Sequence, residues 1–256
     1  MAGRVAGKRA LVTGGAQGLG EAIARRLAAE GARVALSDLK VDQARAVADD
    51  FNARHGAGAA FAYAHDVADE AQWIEVIGRV AADLGGLSVL VNNAGVGTRE
   101  DITEMPLERW RWVMGVNVDG VFLGCKHAIP LMARHAPGSI VNMASIAGVI
   151  AQAESPAYNA SKAAVTHLSK SVGLYCAKKG YDIRCNSVHP AFTDTPILDP
   201  MRALYKDVDQ KLARAIPLQR LGRAREIADG VLWLASDESS FMTAAELRLD
   251  GGISAA

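Results

Sequence analysis

Four short runs, RALVTG (9–14), RVALSD (33–38), LSVLVNNAG (87–95) and GSIVNMAS (138–145), are apolar without the alternation that marks a half-exposed strand. Strands of this kind must be covered on both faces, as in a parallel sheet. Helical spacing fills the intervals between strands: EAIARRLAAEG (21–31), DQARAVADDFNARHG (42–56) and EAQWIEVIGRVAADLGG (70–86) each run on to a glycine, a usual stop. AAFAYAHD (59–66), DIRCNSVHP (182–190) and ELRLDGG (246–252) bring the expected strands to seven, with further helices over 106–135, 155–179 and 225–238. Strand and helix in alternation predict an α/β fold, a doubly wound, mostly parallel seven-stranded sheet with helices on both faces. Nothing like a Pro/Ser linker, charge run or internal repeat divides the chain, so one domain is expected over 1–256. The least regular stretch, about 191–216, carries Pro196 and Pro200 and reads as a lid over a site.

Charge and composition narrow the function classes. Lys+Arg and Asp+Glu balance at 28 each, so no basic excess speaks for a nucleic-acid partner. Cys125, Cys176 and Cys185 form no C-x-x-C pair, which fits reduced, buried thiols in a cytoplasmic protein better than a disulfide framework. Six histidines show no ligand spacing, and no metal is expected. Apolar runs stay far below the roughly 18 residues of a membrane span, and the first residues hold no signal-peptide core, so no membrane partner is expected.

TGGAQGLG (13–20) lies between the first strand and the first helix. Glycines there allow a tight turn and close approach to a pyrophosphate, and the helix start supplies free N–H groups. Packing alone would also account for a glycine-rich turn, but the strand–turn–helix context favours a dinucleotide site built from Gly14, Gln17, Gly18, Leu19 and Gly20. Asp38 ends the second strand, 18 residues after Gly20. At that distance an acid accepts hydrogen bonds from an adenosine ribose and repels a 2′-phosphate, pointing to NAD rather than NADP. The other reading of Asp38 is a turn or cap aspartate, and Lys40 complicates the preference. Asp66 and Val67, after the third strand, would face the adenine.

In SPAYNASKAAVTHLSKSV (155–172), Tyr158 and Lys162 lie one helical turn apart on one face. Spacing alone permits either a solvated surface pair or a proton-transfer pair. TGxxxGxG (13–20), VNNAG (91–95), Ser145 after the fifth strand, YNASK (158–162) and the closing DGG (250–252) occur together and in order. In these features the chain resembles the short-chain dehydrogenase/reductase family along essentially its whole length, and several segments are similar to those of bacterial hydroxysteroid dehydrogenases. The resemblance implies a Rossmann fold and assigns roles. Tyr158 would be the general base of alcohol oxidation and the acid of ketone reduction. A free phenol titrates near 10, and Lys162 would stabilise the phenolate while holding the nicotinamide ribose. Ser145 would hydrogen-bond the substrate oxygen, and Asn117 would complete a proton relay through water toward the lysine. Asn93 and Gly95 would close the floor near the adenosine, beside a structural Asn92. Pro190, Thr193 and Thr195 would hold the nicotinamide carboxamide. Ala191 and Ala244 stand where the family carries glycine; at positive φ an alanine costs of order 1 kcal/mol.

Residues 146–155 and the lid from about Pro196 to Ile216 would line the substrate pocket. Their apolar content fits an uncharged secondary alcohol or ketone of some bulk, such as a hydroxysteroid or another cyclic or aryl alcohol. Alternatives are an NADPH-dependent 3-oxoacyl-type ketone reductase of the same family and a non-catalytic NAD-binding protein. The resemblance also implies a homotetramer.

Overall fold

The sheet owes its apolar strands to burial on both sides. In the computed structural model, which describes residues 3–256, the strands are β1 (Arg9–Thr13), β2 (Arg33–Asp38), β3 (Ala60–Ala64), β4 (Val89–Asn92), β5 (Gly138–Met143), β6 (Ile183–Pro190), β7 (Thr193–Asp194), β8 (Gly222–Arg223) and β9 (Glu246–Leu249). Seven of them pair, all parallel, in the order β3-β2-β1-β4-β5-β6-β9, while β7 and β8 form a separate pair. Successive side chains go to opposite cores: Val12, Val34, Leu36 and Val91 to one, Leu11, Ala35, Leu90 and Ile140 to the other.

Three helices cover the first face: α1 (Gly18–Ala29) through Ile23 and Leu27, α2 (Val41–His55) through Val47 and Phe51, and α9 (Ala224–Ala235) through Val231 and Leu232. On the second face lie α3 (Glu70–Leu84) with Trp73 and Val80, α5 (Gly120–Ala133) with Val121 and Met132, and α6 (Pro156–Lys178) with Val165 and Val172. Asp69 caps α3 by accepting from the Ala71 and Gln72 N–H groups, and Gly85 ends it in a left-handed turn. No helix among the described residues is long and apolar enough to cross a membrane. Strand order reverses between β1 and β4: the chain leaves β1 for the first face and β4 for the second. A crevice opens at the carboxyl ends of these strands, the expected place for a ligand.

Two elements differ from the sequence expectation. The helix predicted over 106–135 is α4 (Leu107–Met114) and α5, joined by a π-helical turn over Gly115–Asp119 in which the Gly120 N–H reaches back to the Gly115 carbonyl. Helical periodicity barely registers one inserted residue, which is why the sequence reads as continuous. The stretch predicted as an irregular lid folds into α7 (Asp199–Leu204) and α8 (Val208–Ala215), and β7–β8 ties its two ends together. Arg202 bonds to Asp194 at 2.6 Å and Asp209 at 2.9 Å, joining β7 to both helices.

Of the two alanines in family glycine positions, Ala191 lies outside the left-handed region and Ala244 lies within it, at φ 57. Its N–H donates to the Cys185 carbonyl at 2.7 Å, so the strained residue joins the entry of β9 to β6. Ala244→Gly is expected to raise stability by about 0.5–1 kcal/mol, after allowance for glycine's larger entropy loss. That corresponds to about 2 °C in the thermal midpoint measured by calorimetry, and a fall would refute the strain.

Candidate active site

Each predicted cofactor residue up to Gly95 lies where β1, β2, β3 or β4 leaves the sheet. Gly14 takes φ +64, and a methyl group on it would come within 2.9 Å of the Ala94 backbone; one on Gly20 would collide with the Gly14 carbonyl oxygen. Only glycine fits either place, so the turn packs against the start of α1 and the loop after β4. Gln17 precedes α1 without a side-chain cap, and the first N–H groups of α1 stay free for an anion. These observations fit a dinucleotide phosphate.

Asp38 faces the same turn. One carboxylate oxygen accepts from the Ala16 N–H at 3.0 Å and the other from the Lys40 N–H at 2.9 Å, while the Lys40 ammonium reaches the Gln17 amide oxygen at 3.0 Å. Asp38, Asp66 and Lys40 line the same end of the crevice, and the Lys40 ammonium is held by Gln17 rather than by either carboxylate. Val67 lines the wall, and its carbonyl is held by the buried indole N–H of Trp73 at 2.9 Å. His65, between them and the sheet, is pulled down to about 4 by burial, so its ring is neutral.

Both asparagines at the end of β4, Asn92 within it and Asn93 just past it, are structural in their hydrogen bonding. Asn92 is buried and donates to the Asn142 amide oxygen at 2.8 Å; Asn142 donates to the Ser169 hydroxyl at 2.9 Å, linking β4, β5 and α6 inside the second core. Asn93 donates to the Thr13 carbonyl at 2.9 Å and the Gly14 carbonyl at 3.2 Å, while its own N–H goes to the Thr13 hydroxyl at 3.0 Å. It keeps the glycine turn in register with β4 and still lines the crevice. A methyl group at Gly95 would lie 3.2 Å from the Asn117 amide oxygen and 3.4 Å from the Lys162 nitrogen, so this glycine admits both.

Asn117 sits in the π-helical turn, fully buried. Its amide accepts from the Val96 N–H at 2.8 Å and donates to the Val96 carbonyl at 2.9 Å and to the Ser161 hydroxyl at 2.9 Å. Ser161 in turn donates to the Tyr158 carbonyl at 2.8 Å. The amide therefore ties the β4 loop to α6, and any relay through Asn117 falls to its main-chain carbonyl, a restriction the sequence does not carry.

The helix α6 presents Tyr158 and Lys162 to the crevice as their spacing predicts. The Lys162 ammonium lies 5.7 Å from the centre of the Tyr158 ring and donates to the Met143 carbonyl at 2.8 Å. Burial pulls Lys162 down to about 8, so it remains a cation at neutral pH, close to its point of release. By the same cause the Tyr158 phenol is pushed above its ordinary value, with the Ser145 hydroxyl drawing it back. Ser145, just past β5, accepts from the Ala147 N–H at 3.1 Å, and its hydroxyl proton is directed at the Tyr158 phenol oxygen.

Across the crevice, Thr195 and Pro196 come within 3.7 and 3.5 Å of the place where a side chain on Gly18 would begin. The Thr193 hydroxyl donates to the Ala191 carbonyl at 3.0 Å and Thr195 to the Thr193 carbonyl at 3.2 Å, which stiffens the segment after Pro190. All the predicted residues except Gly20 and Asn117, which buttress it from behind, line one cleft of about 1150 Å³. Its substrate end is apolar where expected, at Ile146, Ala147, Ile197, Met201, Leu204 and Tyr205. Corrections apply at both ends of that wall. The segment predicted as a lid lines the cleft only as far as Tyr205, because α8 turns away, and Val149 and Ile150 are partly exposed outside it. The loop Val96–Asp101 and Trp112 also line it. No motif marks them; only the packing of α4 beside α6 brings them in.

Residues 14–254 match the family model described as enoyl-(acyl carrier protein) reductase. The chain is 38% identical over 256 residues to the NADP-dependent (R)-specific alcohol dehydrogenase of Lentilactobacillus kefiri, covering all of both chains. It is 40% identical over 257 residues to the 3-beta-hydroxysteroid dehydrogenase of Comamonas testosteroni, covering 99% of this chain and 98% of that one. The crystal structure of a short-chain type dehydrogenase/reductase from Mycobacterium marinum superposes with a TM-score of 0.90 at 34% identity, over 97% of this chain and 96% of that one. On this fold, this site and these relatives, the chain belongs to the short-chain dehydrogenase/reductase family, oxidoreductases that use a nicotinamide dinucleotide.

Proposed function

We propose that the protein interconverts a secondary alcohol and its ketone with NAD, and that the alcohol is a hydroxysteroid or a similarly bulky cyclic or aryl alcohol. The observation that carries the reading is the convergence of Tyr158, Ser145 and Lys162 beside an apolar substrate end, with Asp38 at the far end of the same cleft. Bound nicotinamide dinucleotide supplies the acceptor or donor of hydride. Gly14, Gly18, Leu19 and the start of α1 would hold its phosphates, Asp38 its adenosine ribose, Asp66 and Val67 its adenine, and Pro190, Thr193 and Thr195 its carboxamide. Tyr158 takes the hydroxyl proton in oxidation and returns it in reduction. Ser145 orients the reacting oxygen by hydrogen bonding. Lys162 favours the phenolate by its charge, and Asn117 holds the loop against which the lysine packs. Residues 196–205 act as the lid of this single domain.

A carboxylate at Asp38 repels the 2′-phosphate of NADP, which supports NAD. The rival reading, an NADPH-dependent ketone reductase, draws on Lys40 and on the NADP-dependent relative. Initial rates on a panel of secondary alcohols and ketones, including 3- and 17-hydroxysteroids, are expected to favour NAD(H) over NADP(H) by at least about tenfold. Preference for NADPH would overturn the coenzyme assignment, and indifference to steroids and other cyclic alcohols would overturn the substrate class.

Tyr158→Phe is expected to lose at least about a thousandfold in kcat while NADH binding, followed by fluorescence titration, is largely kept. In the parent, oxidation needs the phenolate, so its kcat/KM rises with pH as the elevated Tyr158 ionises, and reduction runs the opposite way. Equal turnover by the phenylalanine variant would exclude Tyr158 as acid and base, whereas no turnover of the whole panel by the parent would leave NAD binding alone.

Exposed apolar side chains at Trp112 and Phe122, on α4 and α5, and at Leu174 and Tyr175 on α6 support a homotetramer. Light scattering is expected to give four times the 27.0 kDa chain mass, and a monomer would remove the proposal.

A further inference from the structure

Beyond Met143 and Val188, the last paired residues of β5 and β6, the ladder stops. Counting on, Ser145 would face Pro190, which has no N–H, and the Ala191 N–H is given to the Leu249 carbonyl at 3.3 Å. The Ser145 carbonyl therefore has no backbone donor from β6. It takes the Gly148 N–H at 3.0 Å within its own turn, and Nδ1 of His189 lies 3.2 Å away on the β6 side. The second ring nitrogen, Nε2, is 2.8 Å from the Ser187 hydroxyl. His189 is fully buried, and burial keeps its pKa below the ordinary value, so the ring carries one proton. A carbonyl only accepts; the proton is on Nδ1, and Ser187 donates to Nε2.

We infer that His189 is a positioning residue for the reaction: by donating to the Ser145 carbonyl in place of a ladder N–H, it sets the turn that aims the Ser145 hydroxyl at the substrate oxygen. The turn is short and has few other supports. Ser145 is extended at φ −167, and its hydroxyl oxygen caps the single helical turn Ile146–Gly148 through the Ala147 N–H. Tilting the carbonyl turns the Ser145–Ile146 peptide unit, which joins the Ser145 Cα to the residue before the capped Ala147 N–H, and the hydroxyl moves with it. Burial removes His189 itself from the cleft, so its action on the substrate passes through Ser145.

The inference rests on the assignment of Ser145 to the substrate oxygen, and the variants separate the two. All are assayed with the coenzyme and substrate that the parent turns over fastest. In His189→Asn the amide nitrogen can occupy the place of Nδ1, whereas His189→Gln carries its donor further out and His189→Leu carries none. Leucine and glutamine are expected to lower kcat by about 30-fold, a typical penalty for a small displacement of a reacting group, with KM for the coenzyme changed by less than about threefold. Asparagine is expected to stay within about threefold of the parent in kcat. In a Ser145→Ala background the leucine change should cost nothing further. Leucine at parental kcat, asparagine as poor as glutamine, or a full second loss in the alanine background would each overturn the positioning role. Should the leucine variant fail to fold, the asparagine–glutamine pair decides. Undiminished turnover in Ser145→Ala alone would instead overturn the assignment of Ser145.

Discussion

A strand that ends at a binding crevice leaves its last N–H and C=O groups without ladder partners, and buried backbone groups must be paired somewhere. In this protein side chains take over where the sheet stops. Thr13 and Asn93 knit the end of β1 to the loop after β4. Asn117 holds both polar groups of Val96, Asp38 takes the Ala16 N–H, Lys162 serves the Met143 carbonyl and His189 the Ser145 carbonyl. Residues that line the crevice, such as Asn93, Asp38 and Lys162, and others that stand behind it finish the hydrogen bonding of the sheet, and the shape of the crevice follows from the strands that end there.

The same arrangement governs the electrostatics. Placing an ammonium where it must serve the Met143 carbonyl buries it, and burial lowers Lys162 to about 8 from an ordinary value of 10.5. At about 1.4 kcal/mol per pKa unit, this amounts to roughly 3 kcal/mol of destabilisation while the charge is kept. The cost is present in full below the folded value and fades as pH rises toward that of the unfolded chain. It maintains a positive charge beside a phenol that burial alone makes harder to ionise. Stability is given up where the proposed chemistry calls for a charge, a common compromise at active sites.

Local pattern carried the architecture because its signals are short in range. Apolar runs and period-3.6 spacing depend on neighbours a few residues away, so the seven strands of the main sheet, the helices α1, α2, α3 and α6, and the glycine turn were legible to within a few residues. Tyr158 and Lys162 were legible because a helical turn sets them on one face wherever the helix lies. Asp38 and Ser145 were legible because one ends a strand and the other follows a strand end by two residues. The split of 106–135 was not, since one inserted residue hardly disturbs an apolar stripe, and neither were α7 and α8, whose short polar sequences gain their form from β7–β8 and the Arg202 ion pairs.

What tertiary structure alone decided is which groups meet. His189 reads in the sequence as one more apolar-strand histidine, and its bond to a residue 44 positions earlier exists only because β5 and β6 are neighbours. The engagement of the Asn117 amide by Val96, the reach of the lid to Tyr205 and no further, and the strain at Ala244 together with its absence at Ala191 are likewise settled by packing. Sequence specifies periodicity and residue chemistry along one dimension. Distances between segments follow from strand order and register, and those are properties of the folded sheet.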